Sequence, residues 1–236
     1  MTKLQLRQKL LATTVSTAFM ALGTIGTAHA VTVIDTTPSW NGGDSIGSFG
    51  RPFNATFGQT FTVGVDNVLN SFTFFLRQTT VAPVEFVAYV SQWDGIHATG
   101  PILYQSTSQS TTQPNIFQNF TFNTGGTNLV SGKQYVAFVS ASNFPSSGQG
   151  RLGATTSNVY SGGEFVVQNN GSNFSSLTTN SWDTSFSGDA AFKASFSAQP
   201  VPEPSTILGT LTAAGFGVAA IRRKLNQQQK AMAKVG

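Results

Sequence analysis

The stretch Val84-Glu85-Phe86-Val87-Ala88-Tyr89-Val90-Ser91 decides the fold class. Val84, Phe86, Ala88 and Val90 fall on one side of an extended chain, and Glu85, Val87, Tyr89 and Ser91 on the other. Period two with β-branched and aromatic residues is the signature of a half-buried strand. The same period recurs on both sides of this stretch. Phe61, Val63 and Val65 share a face from which Thr60 and Thr62 point away, and Phe72, Phe74 and Leu76 alternate with Thr73, Phe75 and Arg77. Phe120 and Phe122 follow, then residues 135–139, residues 165–167, and Phe192, Ala194 and Phe196. Residues 31–55 are rich in Gly, Pro, Asn and Ser, and predict one early strand over 31–36 followed by loop.

Turn signals separate these runs: Asp66-Asn67, Asp94-Gly95, Gly125-Gly126, Ser131-Gly132, Gly162-Gly163, Asn170-Gly171 and Gly188-Asp189. No long helical period lies between them. Many short strands without intervening helices predict an all-β domain over residues 31–199, a β-sandwich with a jelly roll as the expected arrangement. Gly58-Gln59-Thr60-Phe61-Thr62-Val63, residues 129–136, and Trp93-Asp94-Gly95 with Gly100-Pro101-Ile102-Leu103-Tyr104 resemble exported bacterial sandwich domains at the level of fold.

Composition supports an extracellular setting. Charged residues make up 9% of the 236, against about 25% in an ordinary soluble protein. Neutral polar residues and 20 Phe take their place. The net charge of +4 belongs to the two ends. Residues 31–200 carry five basic side chains against eight acidic ones, a net charge of −3, which argues against a nucleic-acid partner. The chain has no Cys, so disulfides, thiolate metal sites and Cys nucleophiles are excluded.

The ends read as addresses. Lys3, Arg7 and Lys9 precede an apolar stretch from Leu10 to about Gly26, and Ala28-His29-Ala30 places small residues at −3 and −1. Residues 1–30 therefore predict a signal peptide cleaved after Ala30; the other reading is an N-terminal membrane anchor. At the other end Pro202-Glu203-Pro204 lies in a Pro-rich linker, residues 200–206. Residues 207–221 form an apolar run, and Arg222, Arg223 and Lys224 open a basic tail, residues 222–236. The prolines fix φ and remove two N–H donors, which keeps the motif extended. As a helix the apolar run spans about 22 Å, short for a hydrocarbon core of about 30 Å. Its basic flank predicts a cytoplasmic C-terminus. Gly209, Ala213 and Gly217 have small-xxx-small spacing, which fits helix packing or chance in a Gly/Ala-rich segment.

The order Pro-Glu-Pro, short apolar helix, basic cluster resembles the PEP-CTERM sorting signal. The resemblance covers all three parts of that signal. It implies recognition and cutting by a membrane-embedded exosortase, with Pro202, Glu203 and Pro204 as the recognition triplet. It also implies use of the export machinery and an association with exopolysaccharide or biofilm matrix. The further tail, residues 225–236, departs from members that stop soon after the arginines. These addresses predict a non-enzymatic surface or matrix protein, held in the membrane through its C-terminus before processing.

Two other classes compete. A carbohydrate-binding module would use Trp93, Asp94, Tyr104, Trp182 and Asp183, with Tyr160 as a further aromatic, to stack and anchor sugar rings. The competing role for a Trp at a strand end is to cap a core. A glycan-acting hydrolase would need two of Glu85, Asp94, Glu164, Asp183 and Asp189 as a pair, and nothing in their spacing joins any two. The mature chain has one His, His97, three residues from Asp94, and no Gly-x-Ser-x-Gly elbow, so no catalytic residue is assigned. Ligands for zinc are too few. Asp94, Asp183 and Asp189 are the acids that a structural calcium ion would use, and no calcium-binding motif accompanies them.

Overall fold

A computed structural model of the chain describes residues 31–145 and 148–199. Twelve strands account for the regular structure. They begin with β1 (Thr32–Asp35), β2 (Ser45–Phe49), β3 (Thr56–Thr62), β4 (Val68–Gln78), β5 (Glu85–Trp93) and β6 (Ala98–Gln105). After them come β7 (Gln109–Ser110), β8 (Gln118–Asn128), β9 (Gln134–Ser140), β10 (Gly150–Gly153), β11 (Phe165–Gln168) and β12 (Phe192–Ser197). Two 3-10 turns, at Thr37–Ser39 and Phe174–Thr178, are the helical structure among the described residues.

The strands form two antiparallel sheets of six. In the first, the order is β1-β12-β4-β10-β2, and β8 pairs with the opposite edge of β4. In the second, the order is β11-β3-β9-β5-β6, with β7 beside the start of β5. The long strand β4 is the hub of its sheet. Its Phe72, Phe74 and Leu76 turn inward, where Phe74 is flanked by Phe192 of β12 and Phe120 of β8.

The two sheets share one aromatic core. Phe61 of the second sheet stacks 6.3 Å from Phe192 of the first, and Phe49 lies 5.3 Å from Phe57. Each buried Phe contributes roughly 1.5–3 kcal/mol of transfer free energy, and paired rings add about 0.5–1.5 kcal/mol.

The second sheet is also covered on its other face. Val87 and Tyr89 of β5, Val136 and Phe138 of β9, and Val166 of β11 pack under Leu177 and Trp182. This explains why β5 and β9 are apolar at consecutive positions: strands buried on both faces lose the apolar–polar alternation.

The strands predicted around residues 61, 72–76, 84–91, 120–122, 135–139, 165–167 and 192–196 are present. Three differences have local causes. Val65 does not join Phe61 and Val63 on the core face, because β3 ends at Thr62 and Val65 is 89% exposed. Residues 31–55 hold a second strand, β2, at the edge of the first sheet opposite β1; it is irregular, with Ser48 at positive φ and a register shift against β10. The strands β6 and β10 complete the sheets, although Pro101 and three glycines leave them little strand pattern. Pro101 fits because β6 is an edge strand, where a missing N–H leaves no inner ladder bond unmade.

Candidate functional site

Trp93 closes β5 and Trp182 follows the second 3-10 turn; backbone bonds bring the two together. Trp182 N donates to Ile96 O at 2.9 Å, while Val167 and Asp183 exchange bonds of 3.0 and 2.8 Å. The indoles meet edge to face at 5.6 Å, and Trp182 also meets Phe138 at 5.5 Å. Trp182 Nε1 donates to Leu177 O at 2.9 Å. Trp93 is 4% exposed and Trp182 5%. Neither ring offers a face to solvent, so the pair expected to stack sugars is instead the centre of the second sheet's outer cluster. Tyr104 is half-buried, with its ring 5.7 Å from Phe72, and burial pushes its phenol pKa up.

The loop acids serve their own turns. Asp94 Oδ1 accepts from Ile96 N at 2.9 Å and from His97 N at 2.8 Å, and Oδ2 lies 2.8 Å from His97 Nδ1. Partial burial acts to raise the Asp94 pKa, but the bonds from His97 and Ile96 and the nearby imidazole outweigh it, and the net direction is down. Asp183 accepts from Ser185 N at 2.8 Å, which lowers its pKa. Asp189 is fully buried: Oδ1 accepts from Gln59 Nε2 at 2.8 Å, and Oδ2 from Val159 N at 2.8 Å and Tyr160 N at 2.9 Å. Three N–H donors thus occupy the carboxylate that was a candidate calcium ligand. Among the described residues, no group of three or more His, Asp or Glu side chains is placed to hold a metal ion.

The Gln59–Asp189 bridge was not legible in the sequence as a site. It carries a hydrogen bond between the core face of β3 and the approach to β12, in the opposite sheet. Gln59 Oε1 accepts from Ala190 N at 2.8 Å; Thr155 N donates to Asp189 O at 2.9 Å, and Asp189 N donates to Thr155 Oγ1 at 3.0 Å. Tyr160 closes the network, with its phenol pKa pushed up first by burial and then by the Asp189 charge.

Pro202, Glu203, Pro204, Arg222, Arg223, Lys224, Ala28 and Ala30, and the apolar run 207–221, lie outside the described residues. Among the described residues no helix is long and apolar enough to cross a membrane.

These features define the class: a mostly β protein of two antiparallel sheets around a phenylalanine-rich core. No protein-family model matches the chain, and no curated protein matches it in sequence. Solved structures that resemble it include two of one protein. One is the clostridial cysteine protease Cwp84 after propeptide cleavage, with 13% identity, a TM-score of 0.47, and coverage of 72% of this chain and 40% of that one. The other holds the cysteine protease and lectin-like domains of Cwp84, a surface layer associated protein of Clostridium difficile. There the identity is 13%, the TM-score 0.42, and the coverage 62% of this chain and 32% of that one. The chain thus spans less than half the length of either, and it contains no cysteine.

Proposed function

We propose that this chain is a non-enzymatic, exported bacterial surface or matrix protein, sorted through a PEP-CTERM-type tail. One observation carries the reading: Pro202-Glu203-Pro204, the apolar run 207–221 and Arg222-Arg223-Lys224 stand in the order that such a signal requires. Among the described residues the first strand starts at Thr32, just past the Ala28-His29-Ala30 cleavage pattern, and the last ends at Ser197, just before the Pro-rich linker. Removal of both ends would leave all twelve described strands in place. The two facing sheets are read as a sandwich of the jelly-roll type.

In this reading the signal peptide engages the export machinery and leaves. The short apolar helix then holds the domain outside, with the arginines on the cytoplasmic side. An exosortase-type enzyme takes the extended Pro-Glu-Pro segment, and release delivers the domain to the envelope surface or to exopolysaccharide.

The test replaces Pro202, Glu203 and Pro204 by Ala together in the native host. The unprocessed, membrane-held form should accumulate, with intact mass including residues 207–236. Processing at the wild-type rate would overturn the sorting reading.

A further inference from the structure

We propose that the outward face of the first sheet is a binding site for an acidic polysaccharide, one that carries carboxylate groups along its chain. The proposal goes beyond the sorting reading and draws nothing from the tail.

Register sets up the site. On β4, Phe74 and Leu76 point into the core, so Phe75 and Arg77 point out. Arg151 of β10 is the direct cross-strand partner of Arg77, so two arginines stand side by side on one face. Like charges in that position repel and destabilise a sheet. No described acid pairs with either: the ion pairs within 4.0 Å among the described residues are His97–Asp94 and Lys193–Asp35. Asp44, the acid of the neighbouring loop, accepts from Asn41 Nδ2 at 2.8 Å.

The guanidinium groups are positioned and under-satisfied. Arg77 Cζ sits 4.7 Å from the centroid of Phe117, and Nη1 reaches Asn115 O at only 3.5 Å. Its Nε is buried with no acceptor. Arg151 is exposed and lies over Gly47, where a Cβ would meet its Cζ at 3.3 Å.

Aromatic rings adjoin the pair. Trp40 meets Phe75 at 5.1 Å and Phe117 at 5.1 Å, and all three rings are half-buried. Trp40 Nε1 is fixed by Asp44 O at 2.7 Å. The indole lies over Gly153, where a Cβ would meet its ring at 2.7 Å, so any larger residue would displace it. A fixed, partly open aromatic cluster stacks on the C–H face of a sugar ring, and a guanidinium fork pairs with a carboxylate in bidentate fashion. Asn119, exposed opposite Phe75, supplies an amide for hydroxyls.

This combination favours a glycan over other polyanions. Two cross-strand arginines are too few for a nucleic acid, whose binding rests on many phosphate contacts. An acidic peptide would use the arginines and leave the rings idle.

The test uses the full chain and polygalacturonate, with isothermal titration at roughly 0.15 M salt, where long-range attraction is screened. Comparators are the same polymer with its carboxyl groups reduced, poly-glutamate, and single-stranded DNA. Polygalacturonate should bind, and carboxyl reduction should weaken binding at least about tenfold. R151Q, R77Q and W40A should each weaken it by a similar factor, and R151K by less. Lys133→Gln, which removes an exposed positive charge from the turn before β9 in the other sheet, should change nothing. Because Arg151 is exposed, R151Q keeps the fold even if W40A does not. No binding, equal binding of the reduced polymer, or indifference to R151Q would overturn the proposal. Poly-glutamate or DNA binding as tightly as polygalacturonate would overturn it in favour of a general anion surface. The Pro-Glu-Pro test fails or succeeds independently of all of these outcomes.

Discussion

Asp189 shows how much one residue can conceal. The sequence places it beside Gly188 in a turn, where an acid is an ordinary solvated residue. In the structure it is fully buried, with no basic partner among the described residues, and three N–H groups hold its carboxyl oxygens. Asp189→Asn tests this bridge. If the new amide oxygen faces Val159 N and Tyr160 N, its NH2 meets the Gln59 NH2. If Gln59 turns to accept, Ala190 N loses Gln59 Oε1. At least one buried donor is orphaned in either case, each at a cost of about 1–3 kcal/mol. Asp189→Ala orphans three donors and should cost more. Urea unfolding of both variants measures this, and unchanged midpoints would show that the bridge adds nothing to stability. The tryptophans teach the converse lesson. Trp93 and Trp182 were legible as a pair of notable residues, but only the tertiary structure shows their faces turned inward. Sequence places a ring at a strand end; what covers the ring is set by a segment far along the chain.

At the scale of elements, the legible strands are those with one clear apolar face, such as β4 and β12. β2, β6 and β10 were missed because glycine, serine and proline fill positions where backbone pairing matters more than side chains. The covering segment with Phe174, Leu177 and Trp182 was missed for another reason: apolar residues spaced along a loop have no period to read. That segment is joined to the second sheet by few backbone bonds, among them the pair between Val167 and Asp183. It should therefore open below the global unfolding free energy. Trp182→Ala removes the ring between Trp93 and Phe138, a loss of about 3–5 kcal/mol for a buried aromatic. Native-state hydrogen exchange should show the amides near Phe174–Thr178 and in β11 opening most, while β4 and β8 stay protected up to the global limit. A uniform loss of protection in both sheets would mean that the outer cluster and the central core unfold as one unit.

At the scale of the whole molecule, charge separates the domain from its addresses. The full chain carries +4, and residues 31–200 carry −3. Cleavage after Ala30 and within the linker therefore changes the sign of the net charge, since the new amino and carboxyl termini offset each other. A released form that keeps Glu203 carries −4. Loss of the signal peptide alone leaves the basic cluster of the tail attached, and the chain stays near neutral or above. Isoelectric focusing thus orders the three states without any label: a basic precursor, an intermediate still bearing its tail, and an acidic released domain. The material recovered from the cell surface or medium should focus as the acidic form, and the Pro202, Glu203 and Pro204 triple replacement should shift it to the intermediate. Surface material that focuses with the intermediate in the wild type would mean that the basic tail is retained, which would make residues 207–221 a lasting anchor and remove the processing step from the proposed route.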